Sequence, residues 1–248
     1  MMKNDIEKLS GILASSKKLC VFTGAGISCP SGIPDFRSAD GLYNQKTGDN
    51  IPPEEIISHS FFVRNTARFY EFYREKMLYP DAKPNDAHRF FASLETPERD
   101  VTVVTQNIDG LHTAAGSSRV CELHGSVHRN RCTKCGAFYD LAGLLASLDG
   151  DGIPRCKKDG AVIKPEVVLY EEALDDKVVD DAVRAIASAD TMVIVGTSLV
   201  VYPAASFVRY FRGDHLILLN KSRTAYDSMA ELAFYEDVVD VVHELKKL

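Results

Sequence analysis

The chain has 248 residues, of which 45% are apolar and 26% charged, and its formal net charge is −6. These values are ordinary for one globular α/β domain, and the mildly acidic balance disfavours nucleic acid as a partner. No apolar run approaches the ~18 residues of a membrane span and the first residues do not form a signal peptide, so we expect a cytoplasmic protein without a membrane partner.

The first part of the chain predicts a helix, a strand and a glycine-rich loop. Apolar residues at helical spacing predict an amphipathic helix whose buried face is Ile6, Leu9, Ile12 and Leu13. The β-rich run at 19–22 predicts a buried strand. Gly24 and Gly26 follow it, and a backbone that bare can approach a phosphate closely. Because Cys29 replaces the third glycine of G-x-G-x-x-G, a simple tight turn is the alternative interpretation.

The second half of this loop carries groups suited to a ligand site. Two prolines and a further glycine stiffen it, and an acid, an aromatic ring and a guanidinium follow as Asp35, Phe36 and Arg37. Residues from Gly41 to Pro53 then predict a long mobile loop that closes over a cofactor. Helices are predicted at 59–78 and 85–96, with core aromatic residues, and together they predict a helical insert.

The rest of the chain alternates apolar runs with helical stretches. Strands are predicted at 101–104, 120–123, 167–169, 192–195 and 216–219. Helices are predicted at 109–115, 175–187 and 203–211, and a last strand-to-helix unit is predicted near Asp237. This alternation predicts a mostly parallel sheet covered by helices on both faces.

Small and hydrogen-bonding residues follow five of these strands. The groups are Gly24 and Gly26, then Gln106, Asn107 and Asp109, then His124 and Gly125, then Thr197 and Ser198, and finally Asn220. Each one alone is typical of a turn or a helix cap. Because the carboxyl ends of parallel strands meet at one edge of the sheet, the whole set predicts a nucleotide site there.

Four motifs in chain order resemble the sirtuins, the NAD-dependent protein deacylases. They are residues 24–37 (GAGISCPSGIPDFR), 105–112 (TQNIDGLH), 122–125 (ELHG) and 196–204 (GTSLVVYPA). The likeness extends over about residues 5–242. It implies a Rossmann-like, doubly wound parallel sheet with a smaller inserted domain made of a helical module and a zinc-ribbon module.

The resemblance assigns NAD-binding roles by position. The implied cofactor-binding residues are Gly24, Ala25, Gly26, Cys29, Asp35, Phe36, Arg37, Gln106, Ile108, Asp109, His124, Gly196, Thr197, Ser198, Asn220, Lys221 and Asp237. The implied catalytic residues are His124 as general base and Asn107, which orders the ribose or a water. A histidine suits this role because its ordinary pKa lies near 6.5.

The resemblance also implies acetyl-lysine-bearing proteins as partners. The peptide would bind as an added strand beside Val168, Tyr170, Val200 and Val201. The family's Phe-Gly-Glu loop is altered here to residues 170–172, so Glu171 is expected to favour basic neighbours of the lysine, with a solvated carboxylate as the alternative interpretation. The acyl-pocket positions match Tyr70 and Tyr73, with Arg74 one place too late, which predicts acetyl over succinyl or malonyl groups.

Three cysteines have the spacing of a zinc ribbon. Cys132 and Cys135 form C-x2-C, and Cys156 follows 21 positions later. Asp159 stands where the family pattern has the fourth cysteine, and a carboxylate oxygen is an acceptable zinc ligand. His128 or a water is an alternative fourth ligand, and loss of the metal is another interpretation. A retained zinc would be structural.

These observations predict one catalytic domain over residues 1–248. Its Rossmann-like part would comprise 1–38, 98–126 and 164–248, with a helical insert at 39–97 and a zinc-ribbon insert at 127–163. We expect a monomer. Protein ADP-ribosyl transfer and a non-catalytic NAD or ADP-ribose sensor are the alternative functions, and a zinc-ribbon nucleic-acid binder is disfavoured by the acidic charge.

Overall fold

A computed structural model describes residues 3–38, 41–44 and 51–248, so the predicted loop from Gly41 to Pro53 lies partly outside the described residues. The helices are α1 (Lys3–Ser15), α2 (Pro53–Ile56), α3 (His59–Arg64), α4 (Thr66–Lys76), α5 (Asp86–Ser93), α6 (Leu111–Ala114), α7 (Leu141–Leu145), α8 (Asp176–Ser188) and α9 (Val238–Leu245). The strands are β1 (Lys18–Thr23), β2 (Asp100–Thr105), β3 (Val120–Glu122), β4 (Gly125–Cys132), β5 (Phe138–Tyr139), β6 (Ile163–Val167), β7 (Thr191–Val195), β8 (His215–Leu219) and β9 (Leu232–Phe234). Short 3-10 helices occupy Ala25–Ile27, Cys29–Ser31, Leu42–Asn44, Ala204–Tyr210 and Asp227–Met229.

Six parallel strands form the large sheet in the order β3-β2-β1-β7-β8-β9. This is the strand order of doubly wound nucleotide-binding folds, in which the winding reverses between two central strands, here β1 and β7. Successive side chains of β1 face opposite layers, with Leu19 and Val21 in one core and Cys20 and Phe22 in the other.

Helices cover both faces of this sheet. The first layer holds α1, α5 and α9, and the predicted amphipathic face of α1 is confirmed because Ile6, Leu9, Ile12 and Leu13 are all buried. The second layer holds α8 and the 3-10 helix Ala204–Tyr210, where a regular helix is predicted at 203–211. The predicted fold class is confirmed.

A smaller antiparallel sheet, β5-β4-β6, shares a separate core with α2, α3, α4 and α7. The helix predicted at 59–78 is two helices, because the backbone of Asn65 (φ −141°, ψ 60°) leaves the helical region. Its aromatic residues are in the core, as predicted: Phe61, Phe62, Phe69, Phe72 and Tyr73.

Two elements lie in a different layer from the one predicted. The expected parallel strand at 167–169 is instead β6, which pairs antiparallel with β4 in the small sheet. Its burial alternates residue by residue, as in a strand with one solvent-facing side. Helix α5 falls within the predicted helical insert, but Ala87 and Phe91 pack into the core of the large sheet. The exact limits of the inserts stay a proposal.

Among the described residues, no helix combines the length and apolar character needed to cross a membrane.

Candidate active site

The carboxyl ends of β1 and β7 open into a cleft of about 880 Å³, a volume in the usual range for ligand sites. Open parallel sheets bind nucleotides at this reversal of strand order. Every predicted cofactor-binding and catalytic residue lines the cleft, as do Val168, Tyr170 and Val201. Val200 does not line it and is 54% exposed.

The glycines of the first loop make a close approach to the loop that follows β7. The Gly24 nitrogen donates to the Val195 carbonyl oxygen at 3.0 Å, and the Gly26 nitrogen donates to the Gly196 carbonyl oxygen at 2.8 Å. A Cβ on Gly26 would lie 2.7 Å from the Gly196 Cα, and Gly196 itself has φ +58°. The glycines therefore join the two loops where the strand order reverses. They also leave backbone N–H groups uncovered by side chains, so that a ligand can approach them.

Asn107 is buried and lies at the centre of a polar network. Its side-chain nitrogen donates to the Gly24 carbonyl oxygen at 3.2 Å and to the Ser28 hydroxyl at 3.1 Å. The Ser28 hydroxyl in turn donates to the Asp109 carboxylate at 2.7 Å. Burial raises the pKa of the Asp109 carboxyl above its ordinary range. Two motifs about 80 residues apart are thus fixed to each other at the cleft.

The His124 ring is oriented by one hydrogen bond. Its Nδ1 lies 2.9 Å from the Gln106 carbonyl oxygen, an acceptor, so Nδ1 carries the hydrogen and Nε2 keeps its lone pair. Burial lowers the pKa of His124 below its ordinary value, although the bond to Gln106 acts in the opposite direction. Near pH 7 the ring is therefore neutral and able to accept a proton at Nε2.

A turn holds Asp35, Phe36 and Arg37 at the cleft. One Asp35 carboxylate oxygen accepts from the backbone nitrogens of Arg37 and Ser38, at 3.0 and 2.7 Å. The Phe36 ring packs edge-on against the Tyr43 ring, with centroids 5.4 Å apart. Burial beside this turn raises the pKa of the Cys29 thiol, so its neutral form is favoured.

On the β7 and β8 side, the predicted residues are engaged with one another. The Gln106 amide donates to the Thr197 hydroxyl at 3.0 Å. Lys221 pairs with Asp237 at 2.8 Å, and the other Asp237 oxygen accepts from the Val239 nitrogen and begins α9. Asn220 donates its amide to the Ser222 carbonyl oxygen.

The segment after β6 is tied to the start of α3. Both Glu171 carboxylate oxygens accept hydrogen bonds from Ser60, one from its nitrogen and one from its hydroxyl. Glu172 likewise contacts His59 and Lys164. Glu171 is exposed and its carboxylate keeps its charge while it accepts these hydrogen bonds, so selection of basic peptide neighbours stays a prediction.

The cysteine cluster is built from two similar turns. Cys132, Cys135, Cys156 and Asp159 bring their ligand atoms within 4.8 Å of one another. The Gly136 nitrogen donates to the Cys132 carbonyl oxygen, and the Gly160 nitrogen donates to the Cys156 carbonyl oxygen in the same way. Asp159 thus occupies in the second turn the position that Cys135 has in the first.

This donor set fits zinc. Sulfur ligands of a tetrahedral zinc lie roughly 3.8 Å apart, given Zn–S bonds of about 2.3 Å. The Cys135 and Cys156 sulfur atoms are 3.7 Å apart. His128, the alternative ligand, instead contacts the Asp109 carbonyl oxygen at 3.1 Å and lines the cleft.

Residues 24–203 match the Sir2 family. The chain belongs to the Sir2 family. An NAD-dependent protein deacetylase of Clostridium acetobutylicum is 50% identical over 242 residues, covering 98% of each chain. A protein of the same name from Clostridium perfringens is 51% identical over 97% of this chain and 98% of its own.

Solved Sir2 structures agree with this assignment. A Sir2 complex with a p53 peptide and NAD+ is 35% identical, with a TM-score of 0.85 over 98% of this chain and 97% of its own. A structure described for the mechanism and regulation of Sir2 enzymes is 40% identical, with a TM-score of 0.86 over 99% of both chains.

The resemblance matches Tyr70 and Tyr73 to the acyl pocket, but in this Sir2-family chain both lie outside the cleft. Both are fully buried in the small core, where the Tyr70 hydroxyl donates to the Ile163 carbonyl oxygen. The Arg74 guanidinium lies against Gly152, outside the cleft. Leu42, Ile57, Met77 and Tyr79 do line the cleft, although the sequence pattern did not predict them there.

Proposed function

We propose that this chain is an NAD-dependent protein-lysine deacetylase in which His124 is the general base. The observation that carries the proposal is the His124 ring, which presents a neutral Nε2 at the cleft beside Asn107 and the glycine loop. The proposed reaction converts acetyl-lysine, NAD and one water into free lysine, nicotinamide and O-acetyl-ADP-ribose. The relatives named NAD-dependent protein deacetylase support this activity.

When bound, NAD would supply an electrophilic ribose carbon, with nicotinamide as its leaving group. Phe36, held by the backbone and the ring of Tyr43, would shield that region from water. Asn107 is already fixed by Gly24 and Ser28, so it orients a ribose hydroxyl without a reorganisation cost. His124 then takes the proton of a ribose hydroxyl at Nε2, while Gln106 keeps the ring in place.

The polar residues on the β7 and β8 side support binding of the adenosine half. Thr197, Ser198, Asn220, Lys221 and Asp237 line this end of the cleft, and the Lys221–Asp237 pair fixes the start of α9 there. Gly24 and Gly26 bring the two loops together between the adenosine end and His124. We propose this order of contacts along the bound dinucleotide.

The acetyl-lysine peptide is proposed to run beside Val168, Tyr170 and Val201. Their position at the rim of the cleft supports this, and Sir2 structures with an acetylated peptide are among the relatives. Val200 faces solvent next to the cleft and is retained as a contact for a bound strand.

The acyl preference is proposed to be acetyl over succinyl or malonyl. Among the described residues that line the cleft, the cationic side chains besides histidines are Arg37, Lys76 and Lys221. Arg37 lies over the Tyr43 ring, Lys76 pairs with Glu75, and Lys221 pairs with Asp237. A succinyl carboxylate would have to compete for one of these groups.

Cys132, Cys135, Cys156 and Asp159 are proposed to hold a structural zinc. The metal would join the two turns of the small domain and stabilise β4, β5 and β6. It takes no part in the proposed proton transfer.

One assay tests the activity: nicotinamide release from NAD with and without an acetyl-lysine peptide, with products identified by mass spectrometry. Peptide-dependent release together with acetyl-ADP-ribose supports the proposal. ADP-ribosylated protein in place of acetyl-ADP-ribose would contradict it. The monomeric state, the cytoplasmic location and the lack of nucleic-acid partners stay predictions.

A further inference from the structure

Two segments face each other across the cleft. The NAD-side loop comprises residues 35–37 and 41–44, and the peptide-side segment comprises residues 168–172. They are more than 120 residues apart in the chain, yet the hydroxyl oxygens of Tyr43 and Tyr170 are 2.6 Å apart. This distance is that of a short hydroxyl–hydroxyl hydrogen bond.

Tyr43 organises the NAD-side loop. Its backbone nitrogen donates to the Phe36 carbonyl oxygen at 2.9 Å, and its ring packs edge-on against Phe36. The Arg37 guanidinium carbon lies 5.2 Å from the centre of the same ring. The position of Tyr43 therefore sets the positions of two residues proposed to contact NAD.

Tyr170, by contrast, is anchored away from the NAD-side loop. Its nitrogen donates to the Ile57 carbonyl oxygen at 3.1 Å, and its carbonyl oxygen accepts from the His59 nitrogen at 3.0 Å. The neighbouring Glu171 is bound to Ser60. Tyr170 thus presents its hydroxyl from a backbone that is held independently of the NAD-side loop.

We propose that Tyr170 is a positioning residue for NAD binding, because its hydroxyl fastens Tyr43 and with it the NAD-side loop. The inference rests on the proposed function for the identity of the ligand. The bond between Tyr170 and Tyr43 also couples the two substrates, since a peptide that contacts Tyr170 touches the group that holds the NAD-side loop.

The expected effect on NAD affinity follows from how often the NAD-side loop adopts the conformation that binds NAD. Without the bond, the loop spends less time in the arrangement that accepts NAD, and the apparent affinity falls by the same factor. A hydrogen bond of this kind corresponds to a change of about three- to tenfold. Saturating NAD restores the arrangement, so the effect belongs in KM for NAD more than in kcat.

The test uses the full chain with Tyr170→Phe, Tyr43→Phe and the double substitution. NAD affinity is measured by titration calorimetry, and KM and kcat by nicotinamide release. We expect each single variant to weaken NAD binding by the same factor, and the double variant to be no weaker than either. Tyr210→Phe is the matched control, because Tyr210 is 49% exposed and outside the cleft. Thermal unfolding confirms that each variant is folded.

Tyr170→Phe with wild-type NAD affinity would overturn the inference, as would two effects that multiply in the double variant. The proposed function has its own test. A wild-type chain that binds NAD but releases no nicotinamide would contradict the deacetylase activity. The NAD affinities of the single and double variants would still decide the role of Tyr170. A wild-type chain that binds no NAD contradicts both.

Discussion

The backbone nitrogen of Gly26 donates a hydrogen bond to the carbonyl oxygen of Gly196, and a Cβ on either residue would overlap the backbone of the opposite loop. This contact joins the ends of β1 and β7 at the point where the winding of the large sheet reverses. It explains why small residues are needed at both positions even before a ligand is considered.

Gly26→Ala should therefore lower stability by about 1–3 kcal/mol, as overpacking does, and weaken NAD binding with it. Urea unfolding and calorimetry measure the two effects. Gly11→Ala is the matched control, because nothing lies within 4 Å of a Cβ there and the position is inside α1. The control should be neutral or more stable by about 0.5–1 kcal/mol. Equal stability of the two variants would contradict the packing argument.

His124→Ala should abolish deacetylation while leaving the chain folded, because it removes the proposed base. His243→Ala should retain activity, since His243 is exposed and lies outside the cleft. Turnover of an acetyl-lysine peptide measures both. Near-normal turnover by His124→Ala would contradict the assignment.

The pH dependence of kcat/KM should reflect protonation of the His124 ring. Because burial lowers the pKa of His124, the neutral base persists below pH 6.5, and activity should fall only at still lower pH. The profile is measured between pH 5 and 8 at constant ionic strength. An acidic limb with its midpoint above pH 7 would show that another group, or a charged His124, controls the reaction.

Two buried histidines predict loss of stability in acid. The ring centres of His88 and His112 are 4.8 Å apart. Burial lowers the pKa of His88 to about 4 and the pKa of His112 to about 3. Protons therefore bind the unfolded chain first, so stability should fall as pH drops below about 6.5, by up to ~1.4 kcal/mol per pH unit for each histidine. The fall should continue until the pH reaches the folded-state pKa values.

Urea unfolding at pH 7 and at pH 5.5 measures this loss. His88→Phe should show a smaller pH-dependent part than the wild type, whatever its absolute stability. Equal free energies of unfolding at the two pH values would contradict the prediction.

The metal site predicts about one zinc per purified chain, measured by plasma mass spectrometry. Asp159→Ala should lose zinc, whereas Asp159→Cys should hold it more tightly because thiolate is the softer ligand. Asp151→Ala is the control, an exposed aspartate of the same small domain outside the cluster. Less than about 0.2 zinc per wild-type chain would contradict the site.

The acyl preference predicts that kcat/KM is at least about tenfold higher for an acetyl-lysine peptide than for the succinyl equivalent, because the arginine and lysine side chains among the described cleft residues already contact other groups. Parallel assays on one peptide sequence measure this ratio. Faster turnover of the succinyl peptide would show that Arg37, Lys76 or Lys221 leaves its present contact to bind the carboxylate.

The sequence alone determined the doubly wound sheet, the family and the polar residues that follow its strands at the cleft. Strand spacing and turn chemistry are local properties, and parallel strands bring their carboxyl ends to one edge. Residues such as Gln106, His124 and Thr197 must therefore lie close together in the fold. The cysteine spacing likewise identified the four candidate zinc ligands.

Only the tertiary structure decided which side chains in these segments touch. Tyr70 and Tyr73 match cleft positions by spacing, but the rotation of α4 turns them into the small core. Glu171 is bound by Ser60, and Tyr170 reaches Tyr43 across the cleft. Such contacts join segments far apart in the chain, so they depend on how the two domains pack, which no local pattern encodes.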